Sequence, residues 1–188
     1  PTLNLNGYTL TGHITVNNLN NVNLTFTLTD DKTQADYNKA GNGGTLTAAS
    51  GTLVNIKDQF YNPENITVKL ITVKLQGVTL TGSTRGVYAG SNVNLVAEGS
   101  SFSGHTVTTV NTNGAAISYG GVGTLVVNNC KFADNRVTAN GHAGAIFMNS
   151  VSCKATITNS TFTNNQSKSN YGGAMWLAGH AITLRGNT

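Results

Sequence analysis

The side chains able to do acid–base or metal chemistry are few and scattered through this chain of 188 residues. Glycoside hydrolysis needs two carboxylates facing one groove, and elimination from acidic polysaccharides needs carboxylates that hold calcium beside a proton acceptor. Three acids in one polar segment, Asp30, Asp31 and Asp36, are candidates for holding a cation, but we expect them in a solvated loop. The acids share no constant spacing, so stacked repeats would not pair them; they are Asp30, Asp31, Asp36, Asp58, Glu64, Glu98 and Asp134.

Histidine and cysteine give no indication of a metal site either. Cys130 lies two residues before Phe132, whereas Cys153 lies nine before Phe162, so stacked repeats would not bring the thiols together. We expect two separate small residues, with an oxidised pair as the alternative in an exported protein. The sequence therefore predicts no catalytic residue, no cofactor and no metal ion, and hence no enzyme. The histidines share no position in the repeat described below; they are His13, His105, His142 and His180.

The composition favours an all-β fold with a weakly charged surface. Charged residues make up 10% of the chain, against about 25% in average proteins, while glycine accounts for 22 residues and proline for 2. Glycine and asparagine are poor helix formers, whereas the β-branched residues pack well on a pleated sheet. The net charge of +4 includes no run of lysine or arginine, which argues against nucleic acid as a partner. No apolar run is long enough to span a bilayer, so we expect no membrane contact by this chain.

Two tetrapeptide patterns recur at nearly constant spacing. Such a repeat sets the positions of all other side chains in the fold. One combines glycine, alanine and an aliphatic residue, and begins at residues 114, 143 and 172, which are 29 apart. The other is Phe-x-x-Asn, which begins at residues 102, 132 and 162, 30 apart, with His105 in the first asparagine position. The motif residues are Gly114, Ile117, Gly144, Ile146, Gly172, Gly173, Ala174 and Met175 in the first pattern, and Phe102, Phe132, Asn135, Phe162 and Asn165 in the second.

Each repeat also contains a strand and a bend. Gly or Asn stands three residues before each Phe of the second pattern, and both residue types accept a positive φ at a sharp bend. Alternating apolar residues such as Leu95 and Ala97, or Leu125 and Val127, precede the bend, which is typical of a strand with one buried face. Stacked repeats bury that face, whereas a single repeat cannot. The sequence therefore predicts a right-handed, single-stranded parallel β-helix, with a column of Phe rings and a ladder of Asn amides inside.

The repeat divides the chain into three parts of one domain. Residues 1–28 predict early coils, residues 29–52 a polar excursion from the helix, and residues 53–188 regular coils. Within the early coils, residues 7–10 and 21–24 both resemble the bend motif. They lie only 14 apart, which is too close for two full coils, so one of them belongs to a different corner.

The strand and bend pattern returns near the last residues of the chain. Ile182 and Leu184 alternate as a strand, and Gly186 occupies the bend position. The inward Phe or Leu of this frame would follow Thr188. The sequence therefore predicts a fragment of a longer solenoid.

The alternation of the two tetrapeptides resembles the passenger region of the polymorphic outer membrane proteins of Chlamydia, whose paired repeats are Gly-Gly-Ala-aliphatic and Phe-x-x-Asn. The resemblance covers residues 99–188 well and the preceding residues only in style. The closest match is residues 172–175 together with residues 162–165. The two earlier copies of the glycine motif each lack one glycine, and His105 replaces an asparagine.

The resemblance implies an autotransported adhesin passenger, secreted to the outer membrane and cell surface, that serves virulence by attaching to host cells. Its partner would be a host cell-surface protein or glycan. In that family the tetrapeptides are linked to adhesion, but we expect the motif residues to build bends and interior columns and the outward residues to make contact. Two alternatives stay open, a polysaccharide-active β-helix enzyme fragment and an inert structural stalk. Exposed strand edges also favour self-association.

Overall fold

The computed structural model describes residues 1–30, 43–57, 69–90, 92–168 and 171–188, and every regular element in these ranges is a β-strand. The strands are two to six residues long, as expected for short apolar segments between Gly and Asn bends. In chain order they are β1 (Thr2–Asn4), β2 (Thr9–Thr11), β3 (Ile14–Asn17), β4 (Leu24–Thr29), β5 (Thr45–Thr47), β6 (Thr52–Lys57), β7 (Ile71–Gln76), β8 (Thr79–Thr81), β9 (Arg85–Ala89), β10 (Val93–Glu98), β11 (Ser101–Ser103), β12 (Thr106–Val107), β13 (Ile117–Gly120), β14 (Gly123–Asn128), β15 (Lys131–Ala133), β16 (Arg136–Val137), β17 (Ile146–Asn149), β18 (Cys153–Thr158), β19 (Thr161–Thr163), β20 (Gln166–Ser167), β21 (Met175–Ala178) and β22 (Ala181–Arg185).

Parallel pairing between successive coils builds four sheets, each taking one strand from a coil. Sheet 1 contains β1, β4, β7, β10, β14, β18 and β22, and sheet 2 contains β2, β5, β8, β11, β15 and β19. Sheet 3 is short and contains β12, β16 and β20, whereas sheet 4 contains β3, β6, β9, β13, β17 and β21. The chain is therefore a parallel β-helix, as predicted, and the right-handed sense is the one that parallel crossovers adopt.

The core lies inside the coils, on the inward faces of sheets 1, 2 and 4. In sheet 1, Leu95 pairs in register with Val73 on one side and Leu125 on the other, and all three side chains are fully buried. The residues between the inward positions of β10 are only partly buried. The predicted alternation is confirmed, and it follows from the two-residue period of a strand.

The predicted column of Phe rings runs along the inside of sheet 2. The ring centroids of Phe102 and Phe132 are 4.8 Å apart at an interplanar angle of 5°. Phe132 and Phe162 repeat this geometry at 4.8 Å and 2°. Leu80 and Leu46 continue the same position into the earlier coils and are fully buried. The column places an aromatic or aliphatic side chain at every level of the core.

The bends between sheets 1 and 2 have the backbone conformation that their residue types predict. Gly77, Gly99, Asn129 and Asn159 have φ values of 65°, 56°, 50° and 53°. Asn tolerates this left-handed region better than other residues with a Cβ atom, and Gly adopts it freely. Gly186 repeats the bend with a φ of 64°, after β22 joins sheet 1 as predicted.

Both cysteines are free and buried, which confirms that they are separate small residues. Cys130 shares its position after the bend with Ser100 and Ser160. The backbone N–H of Cys130 donates to Ser160 Oγ at 3.1 Å, just as the N–H of Val78 donates to Ser100 Oγ at 3.3 Å. Burial raises the pKa of the Cys130 thiol to about 12, so this thiol is protonated at neutral pH.

The predicted polar excursion over residues 29–52 is too long. Strand β5 lies within it and pairs with both β2 and β8, because Leu46 fills the Phe position of that coil. Asp30, expected in a solvated loop, is fully buried and accepts hydrogen bonds from the backbone N–H groups of Gly7 (2.6 Å) and Gly44 (2.5 Å). Residues 31–42 lie outside the described residues.

The structure places the two similar bend motifs of the early coils at different corners. Residues 7–10 lead into β2 in sheet 2 and correspond to residues 77–80. Residues 21–24 instead lead into β4 in sheet 1, at the corner that closes the first coil. The 14-residue spacing therefore joins two different corners of one coil. The predicted regular coils begin within β6 and continue from β7, while residues 58–68 lie outside the described part of the chain.

Phe132→Ala should destabilise the fold by about 4 kcal/mol, because it removes a fully buried ring from the middle of the aromatic column. Urea denaturation followed by circular dichroism measures the change. Lys131→Ala, on the same strand but with an exposed side chain, is the matched control and should change stability by less than about 0.5 kcal/mol. Equal effects of the two substitutions would contradict the column.

Candidate functional site

The Phe-x-x-Asn motif is part of the scaffold. Asn135 is fully buried, and its Nδ2 donates to the carbonyl oxygen of Phe102 at 3.0 Å and to Asn165 Oδ1 at 2.9 Å. Its Oδ1 accepts the backbone N–H of His105 at 3.3 Å, and Asn165 Oδ1 accepts that of Asn135 at 3.2 Å. This is the predicted amide ladder, and it leaves the buried amide of Asn135 no capacity for a partner.

His105 occupies the first position of the ladder and is fully buried. Its Nδ1 lies 3.1 Å from Ser83 Oγ, and Ser83 Oγ itself donates to the carbonyl oxygen of Arg85, so Nδ1 is the protonated nitrogen. Its Nε2 has no hydrogen-bond partner among the described residues. Burial lowers the pKa of His105 to about 4, so the imidazole is neutral at physiological pH.

The glycine motif is structural for two different reasons. Its first position has a positive φ in all three copies, 66° at Gly114, 60° at Ala143 and 60° at Gly172. In the second copy the next position has no room for a side chain: a Cβ atom on Gly144 would lie 2.5 Å from the backbone nitrogen of Gln166 and 2.6 Å from the carbonyl oxygen of Gly173. The motif therefore fixes a tight corner between stacked coils.

The last two motif positions face the core. Ile117 and Ile146 pair in register in sheet 4 and are fully buried, and Met175 continues the column with partial exposure. The backbone N–H of Ala145 donates to the carbonyl oxygen of Ala174 at 2.9 Å. The side chains of the sheet 4 strands that remain open to solvent are therefore those that alternate with these inward residues.

The last two coils of sheet 4 carry aromatic side chains in its outward column, which in earlier coils holds Asn55, Tyr88 and Ser118. Ser118, Phe147 and Trp176 are in register on β13, β17 and β21, each one residue after an inward aliphatic. The rings of Phe147 and Trp176 stack at 4.9 Å and 15°. Parallel pairing places these rings over one another for the same reason that it stacks the interior Phe rings.

Two residues from the preceding loops complete what we call the aromatic cluster, which consists of His142, Phe147, Tyr171 and Trp176. The His142 ring lies 5.8 Å from Trp176 and 6.3 Å from Phe147 in offset stacks, and 5.0 Å from Tyr171 in an edge-to-face contact. Tyr171 is 59% exposed, whereas Phe147 is 9% exposed beneath its neighbours. The cluster is a largely apolar platform of contiguous rings on the outside of the solenoid.

A cavity of about 170 Å³ adjoins this platform, and we call it the asparagine cleft. Asn113 Oδ1 accepts the backbone N–H of His142 at 2.7 Å, and the N–H of Asn111 donates to the carbonyl oxygen of Asn140 at 2.7 Å. The side-chain amides of Asn111 and Asn140 have no partner among the described residues. Since each amide both donates and accepts, the cleft offers unused hydrogen-bonding groups of both kinds. The lining residues are Asn111, Asn113, Asn140, Gly141 and His142.

Arg85 holds one wall of the cleft in place from the neighbouring coil. Its Nε donates to the carbonyl oxygen of Gly114 and its guanidinium NH2 group to that of Asn113, both at 3.1 Å. The guanidinium carbon also lies 5.7 Å from the centre of the Tyr88 ring. Burial lowers the pKa of Arg85, yet its three contacts favour the charged form. Arg85 is therefore a positioning residue for the loop that carries Asn111 and Asn113.

A second cavity, of about 260 Å³, lies along sheet 3. It presents the exposed cations Arg136 and Lys168 beside polar side chains. Ser167 Oγ donates to the carbonyl oxygen of Gly141 at 2.7 Å, so the two cavities share a structural link. The lining residues are Arg136, Val137, Thr138, Gln166, Ser167 and Lys168.

The acidic residues that the structure describes do not converge. Asp30 is buried against backbone N–H groups, Glu98 lies on sheet 1, and exposed Asp134 accepts a hydrogen bond from Asn164. Among the described residues no three His, Cys, Asp or Glu side chains come together as metal ligands would. Four further candidates fall outside the described ranges, namely Asp31, Asp36, Asp58 and Glu64.

The aromatic cluster and the asparagine cleft were not predicted from the sequence. One feature of the sequence marks them, because Phe147 and Trp176 follow the aliphatic residues of two motif copies and are themselves 29 apart. His142 was considered only as a metal ligand, and it contributes a ring and a backbone contact instead.

Compared with known proteins, the chain matches no family model, no curated protein and no solved structure. Within the part of the chain that the structure describes, there is no helix of the length and hydropathy needed to cross a bilayer. The sheet topology and the outward rings define the class of protein as a parallel β-helix with an outward aromatic platform.

Gly144→Ala should destabilise the chain by about 3 kcal/mol, because the added Cβ atom would overlap backbone atoms of the neighbouring segments. Gly173→Ala is the matched control in the next coil, where the nearest atom to the added Cβ is the carbonyl oxygen of Asn165 at 3.3 Å. It should cost less than about 1 kcal/mol. Urea midpoints measured side by side test this, and indistinguishable midpoints would refute the steric role of Gly144.

The stability of the fold should depend on pH through His105. Its pKa is lower in the folded chain, about 4, than the unperturbed value of 6.5, so the unfolded chain binds the proton more readily. The contribution of His105 to the free energy of unfolding is therefore fully present above pH 6.5 and declines as the pH falls toward 4. Below pH 4 it no longer changes with pH. The total loss should be about 3 kcal/mol.

His105→Asn isolates this contribution, because Asn is the usual residue of the ladder position and does not titrate. The difference in unfolding free energy between wild type and variant should change between pH 7 and pH 4. A difference that stays constant across this range would show that His105 is not buried as a neutral imidazole.

Proposed function

We propose that this chain is a segment of a surface-displayed adhesin passenger that attaches to host cells through the outer face of its β-helix. The observation that carries the proposal is the aromatic cluster beside the asparagine cleft, on a surface whose other outward columns are mainly polar. Clustered, partly exposed aromatic rings are typical of binding surfaces, because they give a large contact area at a small loss of side-chain entropy. The partner is a host cell-surface protein or glycan.

The burial of the repeat motifs supports a proposal in which the motif residues form the scaffold and other residues recognise the partner. Phe132, Asn135 and Ile146 are fully buried and make their contacts within the scaffold. Recognition therefore belongs to outward side chains and to the loops between sheets 3 and 4, where sequence can change without disturbing the stacked core. The paired repeats resemble those of polymorphic outer membrane proteins, which supports display by an autotransporter at the outer membrane.

The purified chain should bind cultured animal cells at concentrations up to about 10 μM, as a moderate-affinity contact would. Binding of fluorescently labelled protein is measured by flow cytometry. Tyr171→Ala should reduce the bound fluorescence several-fold, because the side chain is exposed and belongs to the aromatic cluster.

Tyr8→Ala is the control, because Tyr8 is an exposed tyrosine in the first coil, with 71% of its surface open against 59% for Tyr171. It should leave cell binding unchanged. An inert stalk predicts no binding by any form of the chain, and a polysaccharide-active enzyme predicts release of reducing or unsaturated sugar ends from pectin. Either result would refute the adhesin proposal for this segment.

A further inference from the structure

The asparagine cleft and the aromatic cluster share His142, and we propose that together they form a binding site for a neutral glycan. The inference rests on the proposed function and goes further by naming the chemical class of the ligand and the residues that recognise it. It commits to sugar in place of a protein partner.

The polar half of the site suits the hydroxyl groups of a sugar. A hydroxyl donates one hydrogen bond and accepts others, and a primary amide is its counterpart, with two N–H donors and one acceptor oxygen. Asn111 and Asn140 hold such amides without a partner among the described residues, and Asn113 retains a free Nδ2 after its Oδ1 accepts the His142 N–H. Three amides around one cavity can therefore satisfy several hydroxyls at once.

The apolar half suits the face of a sugar ring. A pyranose has a face of C–H bonds that packs on aromatic rings, whose apolar body and flat shape exclude water. Tyr171 meets His142 edge-to-face and keeps 59% of its surface open, and Trp176 is partly exposed beside it. A few well-placed polar groups next to aromatic walls are the usual composition of a small-ligand site.

The charge of the lining indicates a neutral ligand. No carboxylate, lysine or arginine is among the described residues that line the asparagine cleft. The cations Arg136 and Lys168 instead line the separate cavity along sheet 3. An anionic glycan would be drawn to that second cavity. The charge of the preferred sugar therefore shows whether it binds in the asparagine cleft or in the cavity along sheet 3.

The site is preorganised by contacts that do not involve the ligand. The two hydrogen bonds from Arg85 fix the loop that carries Asn111 and Asn113, and Asn113 fixes the backbone of His142. Phe147 supports the His142 and Trp176 rings from below. The backbone of the cleft and the stacked rings are therefore in position before a ligand binds, which reduces the entropy lost on binding.

The test is binding of the purified chain to an immobilised panel of neutral, sialylated and sulfated oligosaccharides. We expect binding to neutral members, with Asn140→Ala and Tyr171→Ala each weakening it by about tenfold or more. Asn140 has an exposed side chain with no hydrogen bond to the described residues, so its removal should leave the fold intact. Tyr8→Ala and Arg136→Ala are the controls and should bind as the wild type does.

Trp176 gives an independent measurement because it is the only tryptophan of the chain. Titration with the free form of the best-bound neutral oligosaccharide should shift its fluorescence emission, and Asn140→Ala should move the midpoint to about tenfold higher concentration. Binding confined to sulfated or sialylated members, binding insensitive to Asn140 and Tyr171, or no binding to the panel would each overturn the glycan site.

Failure of this inference can be told from failure of the proposed function. Cells that bind the chain equally well before and after periodate oxidation of their glycans, together with a silent panel, would refute the glycan site and leave the adhesin. Neutral oligosaccharide binding without any binding to cells would refute the adhesin and leave the site.

Discussion

The structure depends on one constraint, which is that each coil lies directly over the one before it at the spacing of paired strands. Parallel register sets equivalent residues about 4.8 Å apart, so each side chain must pack well against its own counterpart. Aromatic rings do so by stacking, as Phe102, Phe132 and Phe162 do at 4.8 Å, and amides do so by donating and accepting. Charged side chains repel their copies, which accounts for the charged content of only 10%.

The same constraint decides how much of the fold the sequence could predict. Where the repeated residue has a distinctive chemistry, as with Phe132 or Asn135, the period was visible and the register was correct. In the early coils Leu46 takes the place of Phe, and a leucine between threonines looks like many other segments. The buried carboxylate of Asp30 was also unpredictable, because its donors come from Gly7 and Gly44, which only the folded coils bring together.

The candidate site was harder to predict because no single repeat contains it. The asparagine cleft takes residues 111 and 113 from one coil and residues 140–142 from the next, and the aromatic cluster reaches into a third. Polar loop residues have no period of their own. Only stacking converts a separation of 29 residues in sequence into a contact, and the side chains of the cleft and of the cluster are those the repeat leaves free to vary.

The hydrogen bonds between the ladder side chains and backbone groups of a neighbouring coil run in one direction along the chain. Asn135 and Asn165 donate to carbonyl groups of the preceding coil and accept its N–H groups, and Ser160 accepts the N–H of Cys130 in the same sense. A coil that folds onto an already formed amino-terminal neighbour makes these backbone contacts at once, whereas growth from the opposite end would leave the buried amides without them. The ladder thus gives the solenoid a preferred direction of assembly, from its amino-terminal coils onward.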